Sequence, residues 1–239
     1  MAKSKKITEE VTEQNAPQQA ILVEVENIAF RGRQILYEAV KKEFGERDIE
    51  LSVATFSRCC IESSPQQFVP CLLKSAAKTR FSEERLVSDI TDAISKAFRG
   101  SIKVEPGFKD LIRIASEKKV LIGGLSSFDK DVSVRILGDL GLPGMNSNIL
   151  SCAEEYGSCP KTNAWLQLAR GLSVYPSQCV ALATSAASCQ AAVSARMRSV
   201  VVPDKFTCFQ DFGGCDVAFD ALDKDAVKAV FALLRSAAP

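Results

Sequence analysis

The stretch AILVEVENIAF, residues 20–30, constrains this chain more than any other. It reads as one buried β-strand running into a turn that carries two carboxylates one residue apart, Glu24 and Glu26. Further apolar strands are predicted at 120–125, 148–151, 178–184 and 199–202 and near 217–219. Between them fall amphipathic helices at 108–117, 131–140, 162–171, 187–197 and 223–235. Strands and helices alternating at these distances pair in parallel through right-handed crossovers. The predicted fold class is α/β, a three-layer Rossmann-like parallel sheet.

One region breaks the alternation. Four helical segments, 33–44, 50–57, 65–77 and 82–98, follow one another with no strand between them. They read as a helical cap inserted into the core, giving a cap at 33–102 and a core of 20–32 plus 103–239. Residues 1–19 are polar and mix Lys3, Lys5 and Lys6 with Glu9, Glu10 and Glu13. Nothing in them compensates the entropy of ordering, so a disordered tail is expected.

Composition excludes several classes of function. Thirty Lys and Arg against twenty-nine Asp and Glu leave a net charge of +1 with no long basic run, so no nucleic-acid partner is expected. No apolar run approaches the ~20 residues of a membrane helix, so no membrane insertion is expected. The chain contains no histidine, which removes Ser-His-Asp and Cys-His catalysis and mixed Cys/His zinc sites. Nine cysteines, odd in number and scattered from Cys59 to Cys215 without a CxxC pair, read as reduced thiols of a cytoplasmic protein, mostly buried small hydrophobes.

Ligands of such sheets bind at the carboxyl ends of the strands. Three such ends carry polar residues: Glu24 and Glu26, Ser126 and Ser127, and Thr184 and Ser185. Here the chain resembles the haloacid dehalogenase superfamily, in its subgroup of small phosphatases and phosphomutases with a helical cap. Glu24-Val25-Glu26-Asn27 stands where the family has D-x-D-G. The resemblance makes Glu24 the equivalent of the phosphoryl-accepting nucleophile and Glu26 that of the general acid/base. Each glutamate carries one more methylene than the aspartate it replaces, displacing the carboxylate by about 1.5 Å, and ~1 Å is enough to cost about 100-fold in rate. Asn27 replaces the turn glycine, a role that its tolerance of left-handed conformations partly suits.

The second motif survives: residues 121–126 end in Ser126, the family's phosphate-holding hydroxyl. The third, a phosphate-neutralising lysine before a helix, meets Cys159, with Lys161 two residues on. The fourth supplies acidic magnesium ligands, and residues 182–188 contain none, Thr184 taking the equivalent place. By this resemblance phosphate, if bound at all, is held by Ser126, Ser127 and Lys161. Magnesium prefers hard oxygen ligands and would find only Glu24, so no metal or other cofactor is expected unless activity is retained.

Plainer readings stand beside these. The two glutamates read first as acids at a solvated rim, Lys161 as a surface lysine, and Ser126 equally as an anion ligand or a helix cap. The expectation is a catalytically degenerate protein, a pseudoenzyme acting as a binding, regulatory or structural subunit with another protein or a second copy as partner. Two alternatives are a slow magnesium-dependent phosphatase or phosphomutase using Glu24, and a sensor of a phosphorylated small molecule.

Overall fold

The structure is a computed structural model and describes residues 18–76, 81–100, 102–128, 130–142, 148–152 and 161–236. Six strands form a single parallel sheet: β1 (Ala20–Glu24), β2 (Leu121–Ser126), β3 (Ile149–Ser151), β4 (Cys179–Ala183), β5 (Arg198–Val201) and β6 (Val217–Ala218). Their order is β3-β2-β1-β4-β5-β6, so β1 lies at the centre, pairing Val23 with Gly124 on one side and with Leu182 on the other. The chain leaves β1 in both directions across the sheet, and the crevice over β1 and β4 is where such folds seat ligands.

Alternate residues of β1 serve opposite layers. Ile21 and Val23 face a cluster with Phe108, Leu111, Leu137, Val230 and Phe231, which come from α5 (Pro106–Glu117), α6 (Lys130–Asp139) and the last helix, α9 (Lys224–Ser236). Ala20 and Leu22 face Trp165, Leu168 and Ala192 of α7 (Thr162–Gly171) and α8 (Ala186–Ser194). All five residues of β1 are buried. Burial on both faces is why this strand reads as an uninterrupted apolar run. Gly123 of β2 lies under α7: a Cβ there would come within 2.9 Å of the Leu172 side chain and 3.1 Å of Leu168.

The remaining helices, α1 (Gly32–Gly45), α2 (Val53–Cys59), α3 (Pro65–Ser75) and α4 (Glu83–Ala97), have a hydrophobic core of their own around Val40, Phe44, Phe56, Phe68, Leu72 and Ile90. Ser52 caps α2, its side chain accepting from the Thr55 N–H, and Ser64 and Gln67 form a capping box on α3. Phe206, from the segment after β5, is buried in this core. Its ring lies 5.3 Å from that of Tyr37 and 4.9 Å from that of Phe56. A second join is aromatic: the Phe98 ring lies 4.6 Å from Phe128 and 6.2 Å from Phe30.

Three expectations are corrected. The first strand stops at Glu24, and residues Val25–Ala29 form a single π-helical turn. The predicted tail falls outside the described residues except for Gln18 and Gln19, and Gln19 is anchored: its carbonyl accepts from Leu121 N–H at 3.0 Å and its amide donates to the Leu234 carbonyl at 2.6 Å. Finally, Cys59 and Cys71 form a disulfide rather than two reduced thiols, because packing α2 on α3 brings their Cα atoms to 5.8 Å. Cys60, Cys179 and Cys189 are buried free thiols, as their reading as small hydrophobes implies. Burial pushes the Cys60 and Cys179 thiols up to about 12, which leaves them un-ionised and poor nucleophiles.

Candidate functional site

The carboxyl ends of β1, β2 and β4 meet where β1 gives way to the π-helical turn. That turn carries Glu26 back toward the end of β2, so the two acids of the first motif diverge: Glu24 serves β4 and Glu26 serves β2. Neither lies at a solvated rim. Glu24 is 4% exposed and Glu26 7%, which overturns the plainer reading of the sequence. Buried carboxylates must be hydrogen-bonded to persist, and each has found its own donors.

Glu26 accepts from the Ser126 hydroxyl through Oε1 and from the Ser127 N–H through Oε2 at 3.2 Å. Ser126 Oγ is itself held by the Phe128 N–H at 3.1 Å and by Ser133 Oγ at 2.6 Å. The hydroxyl and amide that the family resemblance assigns to phosphate therefore hold a side chain of this chain. The gap left between Glu24, Glu26, Ser126, Ser127 and Cys152 is only about 20 Å³. Burial pushes the Glu26 carboxyl up from 4.5 to about 7. Its bonds to Ser126 and Ser127 pull the other way, and Glu24 nearby adds a small further rise.

Glu24 is bound on both oxygens by one residue, Thr184, whose N–H donates to Oε1 at 2.9 Å and whose hydroxyl donates to Oε2 at 2.6 Å. Behind Thr184 stands Arg33 at the start of α1. Its Nη2 donates to Thr184 Oγ1 at 2.9 Å and lies 3.8 Å from Glu24 Oε2, while Nη1 reaches the Thr184 carbonyl at 3.4 Å and Asp204 Oδ2 at 3.1 Å. Arg33 is 8% exposed, so this is a buried ion pair in a satisfied network. Asn27 does not take a left-handed conformation. Its Oδ1 instead accepts from the Arg33 N–H at 3.1 Å, tying the π-helical turn to α1. Gly32 allows that close approach, since a Cβ there would lie 2.4 Å from the Glu26 carbonyl oxygen.

Over these carboxylates lies a cavity of about 350 Å³, closed on the far side by the α1–α4 helices. Its walls include Phe56, Phe68, Phe98 and Phe128, and its floor Glu24, Glu26 and Arg33. The structure thus brings together Glu24, Glu26, Ser126, Ser127 and Thr184 from the sequence reading. It does not bring Lys161, which is exposed ahead of α7 and does not line this cavity. Arg33, Ser133 and Asp204 are missed by the sequence reading, which took Asn27 only as the replacement for a turn glycine. The only signal for Arg33 is a cation set directly after the turn of the first motif, a position that looks like ordinary helix surface.

Magnesium does not fit the residues present. Both oxygens of Glu24 are taken by Thr184 and one faces a guanidinium, Glu26 is turned to Ser126, and Asp204 pairs with Arg33. Among the described residues no group of three or more Asp, Glu, His or Cys side chains is placed to hold a metal ion.

The fold is that of the haloacid dehalogenase-like phosphatases and phosphomutases that carry a helical cap. Its neighbours among solved structures include CbbY from Rhodobacter sphaeroides in complex with xylulose-1,5-bisphosphate, 18% identical, covering 87% of this chain and 96% of that one with a TM-score of 0.71. A β-phosphoglucomutase from Clostridium difficile is 17% identical over 92% of this chain and 98% of its own, with a TM-score of 0.72. A family IA haloacid dehalogenase hydrolase from Entamoeba histolytica is 14% identical over 91% of this chain and 100% of its own, also with a TM-score of 0.72. No protein-family model and no curated protein matches the sequence.

Proposed function

We propose that this chain is a catalytically degenerate member of this fold, a pseudoenzyme that binds rather than turns over its ligand, with residues 33–102 as a cap over the binding cavity. One observation carries the reading: the Glu26 carboxylate occupies the Ser126 hydroxyl and the Ser127 amide. Phosphoryl transfer depends on positioning and on charge stabilisation of the transferring group. A carboxylate on those donors competes with phosphate for them and repels it. The same occupancy weighs against a phosphometabolite sensor. The cavity of about 350 Å³ with aromatic walls is within the usual size range of small-molecule sites, so a ligand with an apolar body is the better match.

The test is a broad panel of phosphate monoesters with magnesium and purified protein, alongside Glu24→Ala. The expected result is no turnover above the variant. Magnesium-dependent hydrolysis abolished by Glu24→Ala would sink the proposal.

A second reading, a slow phosphatase or phosphomutase, is favoured by one fact: Glu26, held near 7, has the acidity suited to a general acid/base at neutral pH. It predicts a measurable starting rate that Glu26→Gln lowers, and a rate that rises when Glu24 and Glu26 are both changed to Asp.

A further inference from the structure

We infer that Arg33 is the built-in cation of this site, standing in for the divalent metal on which phosphoryl-transfer sites of this type depend. The inference builds on the degenerate reading above but concerns different residues.

The geometry is that of a cation shared by two acids. The guanidinium lies between Glu24 Oε2 at 3.8 Å and Asp204 Oδ2 at 3.1 Å, and it donates to both the hydroxyl and the carbonyl of Thr184. The side chains of Glu24 and Arg33 are 6% and 9% exposed, so this pair lies away from solvent, where an unpaired carboxylate would be costly, while the Asp204 side chain is 36% exposed. Glu24, Asp204 and Thr184 come from the end of β1, the segment after β5 and the end of β4. The cation reaches all three only because α1 begins immediately after the turn.

Arginine supplies fixed charge and planar donors but no open coordination position. Asp204 is itself anchored, accepting from the Phe206 N–H at 2.8 Å, next to the ring that enters the core of the α1–α4 helices. The cation thus also fastens those helices to the sheet, a duty that a free metal ion does not perform.

Thermal unfolding of the full chain and three variants against magnesium chloride, at constant ionic strength, tests this. Wild type is expected to show no magnesium-dependent change in Tm. Arg33→Ala combined with Thr184→Asp removes the cation and adds a carboxylate between Glu24 and Asp204. Its Tm is expected to be lower without metal and to rise by about 5 °C or more at magnesium a hundredfold above Kd. Arg33→Lys, which keeps a charge, is expected to remain folded and indifferent to magnesium. The inference is overturned if wild type is stabilised by magnesium and the effect is lost in Glu24→Gln. It is overturned equally if the double variant is folded yet indifferent to magnesium, or if Arg33→Lys responds as the double variant does. Should the double variant not fold without metal, circular dichroism in magnesium decides, since failure to recover structure counts against the inference. None of these outcomes depends on phosphate turnover, so the degenerate reading stands or falls separately.

Discussion

Glu26 offers the sharpest test of the site, because its burial makes stability depend on pH in a window where this chain is otherwise nearly silent. A carboxyl raised from 4.5 to about 7 is protonated in the folded protein at pH values where the unfolded chain has already released the proton. The folded state therefore binds more protons across that interval, and stability falls as pH rises from about 4.5 to about 7, then levels off. Two to three pK units correspond to about 3 kcal/mol, at 1.4 kcal/mol per unit. The chain has no histidine, the residue that ordinarily titrates there. Glu26→Gln removes the titrating group at almost constant shape. Its amide oxygen can accept from the Ser126 hydroxyl, but its NH₂ then meets the Ser127 N–H donor to donor, an expected cost of about 1 kcal/mol. Urea unfolding at pH 5, 6, 7 and 8 should show the variant close to wild type at pH 5 and more stable by about 2 kcal/mol at pH 8, with unchanged m-values. Parallel pH profiles for the two proteins would refute the reasoning, since they would mean that Glu26 is ionised throughout.

Two further outcomes follow from the α1–α4 helices. Phe206→Ala empties a fully enclosed ring position shared with Tyr37 and Phe56 and should cost about 3–5 kcal/mol in chemical denaturation; a loss below 1 kcal/mol would mean that this segment does not anchor the helices. Reducing the Cys59–Cys71 bridge, or replacing both residues by Ser, frees a loop of twelve residues and should lower stability by about 3 kcal/mol. An unchanged urea midpoint in the presence of reductant would contradict that bridge.

Much of the core was legible because its signals are local. Continuous apolar runs such as 20–23 and Cys179–Ala183 announce strands buried on both faces, and period-3.6 faces such as Val227, Val230, Phe231 and Leu234 announce helices packed on one side. The four helices between β1 and α5 were legible for the same reason. The positions of Glu24, Ser126 and Thr184 at the carboxyl ends of parallel strands followed from element order alone. Lys161 was placed from sequence spacing near the third motif, and spacing does not bring it to the cavity.

The use of those residues was decided only by the tertiary structure. Whether Glu26 faces solvent or Ser126 depends on a five-residue π-helical turn, and the donor that it meets lies 100 positions away. Arg33 meets Thr184 across 151 positions and Asp204 across 171, and no local pattern separates such an arginine from one on a helix surface. The bridge between Cys59 and Cys71 and the burial of Phe206 among α1–α4 likewise arise from packing between elements. Periodicity records which face of an element is buried. The partner of a buried charge is set by how the elements are stacked, and in this protein that stacking sets Glu26 on the Ser126 hydroxyl and the Ser127 amide and Arg33 between Glu24 and Asp204.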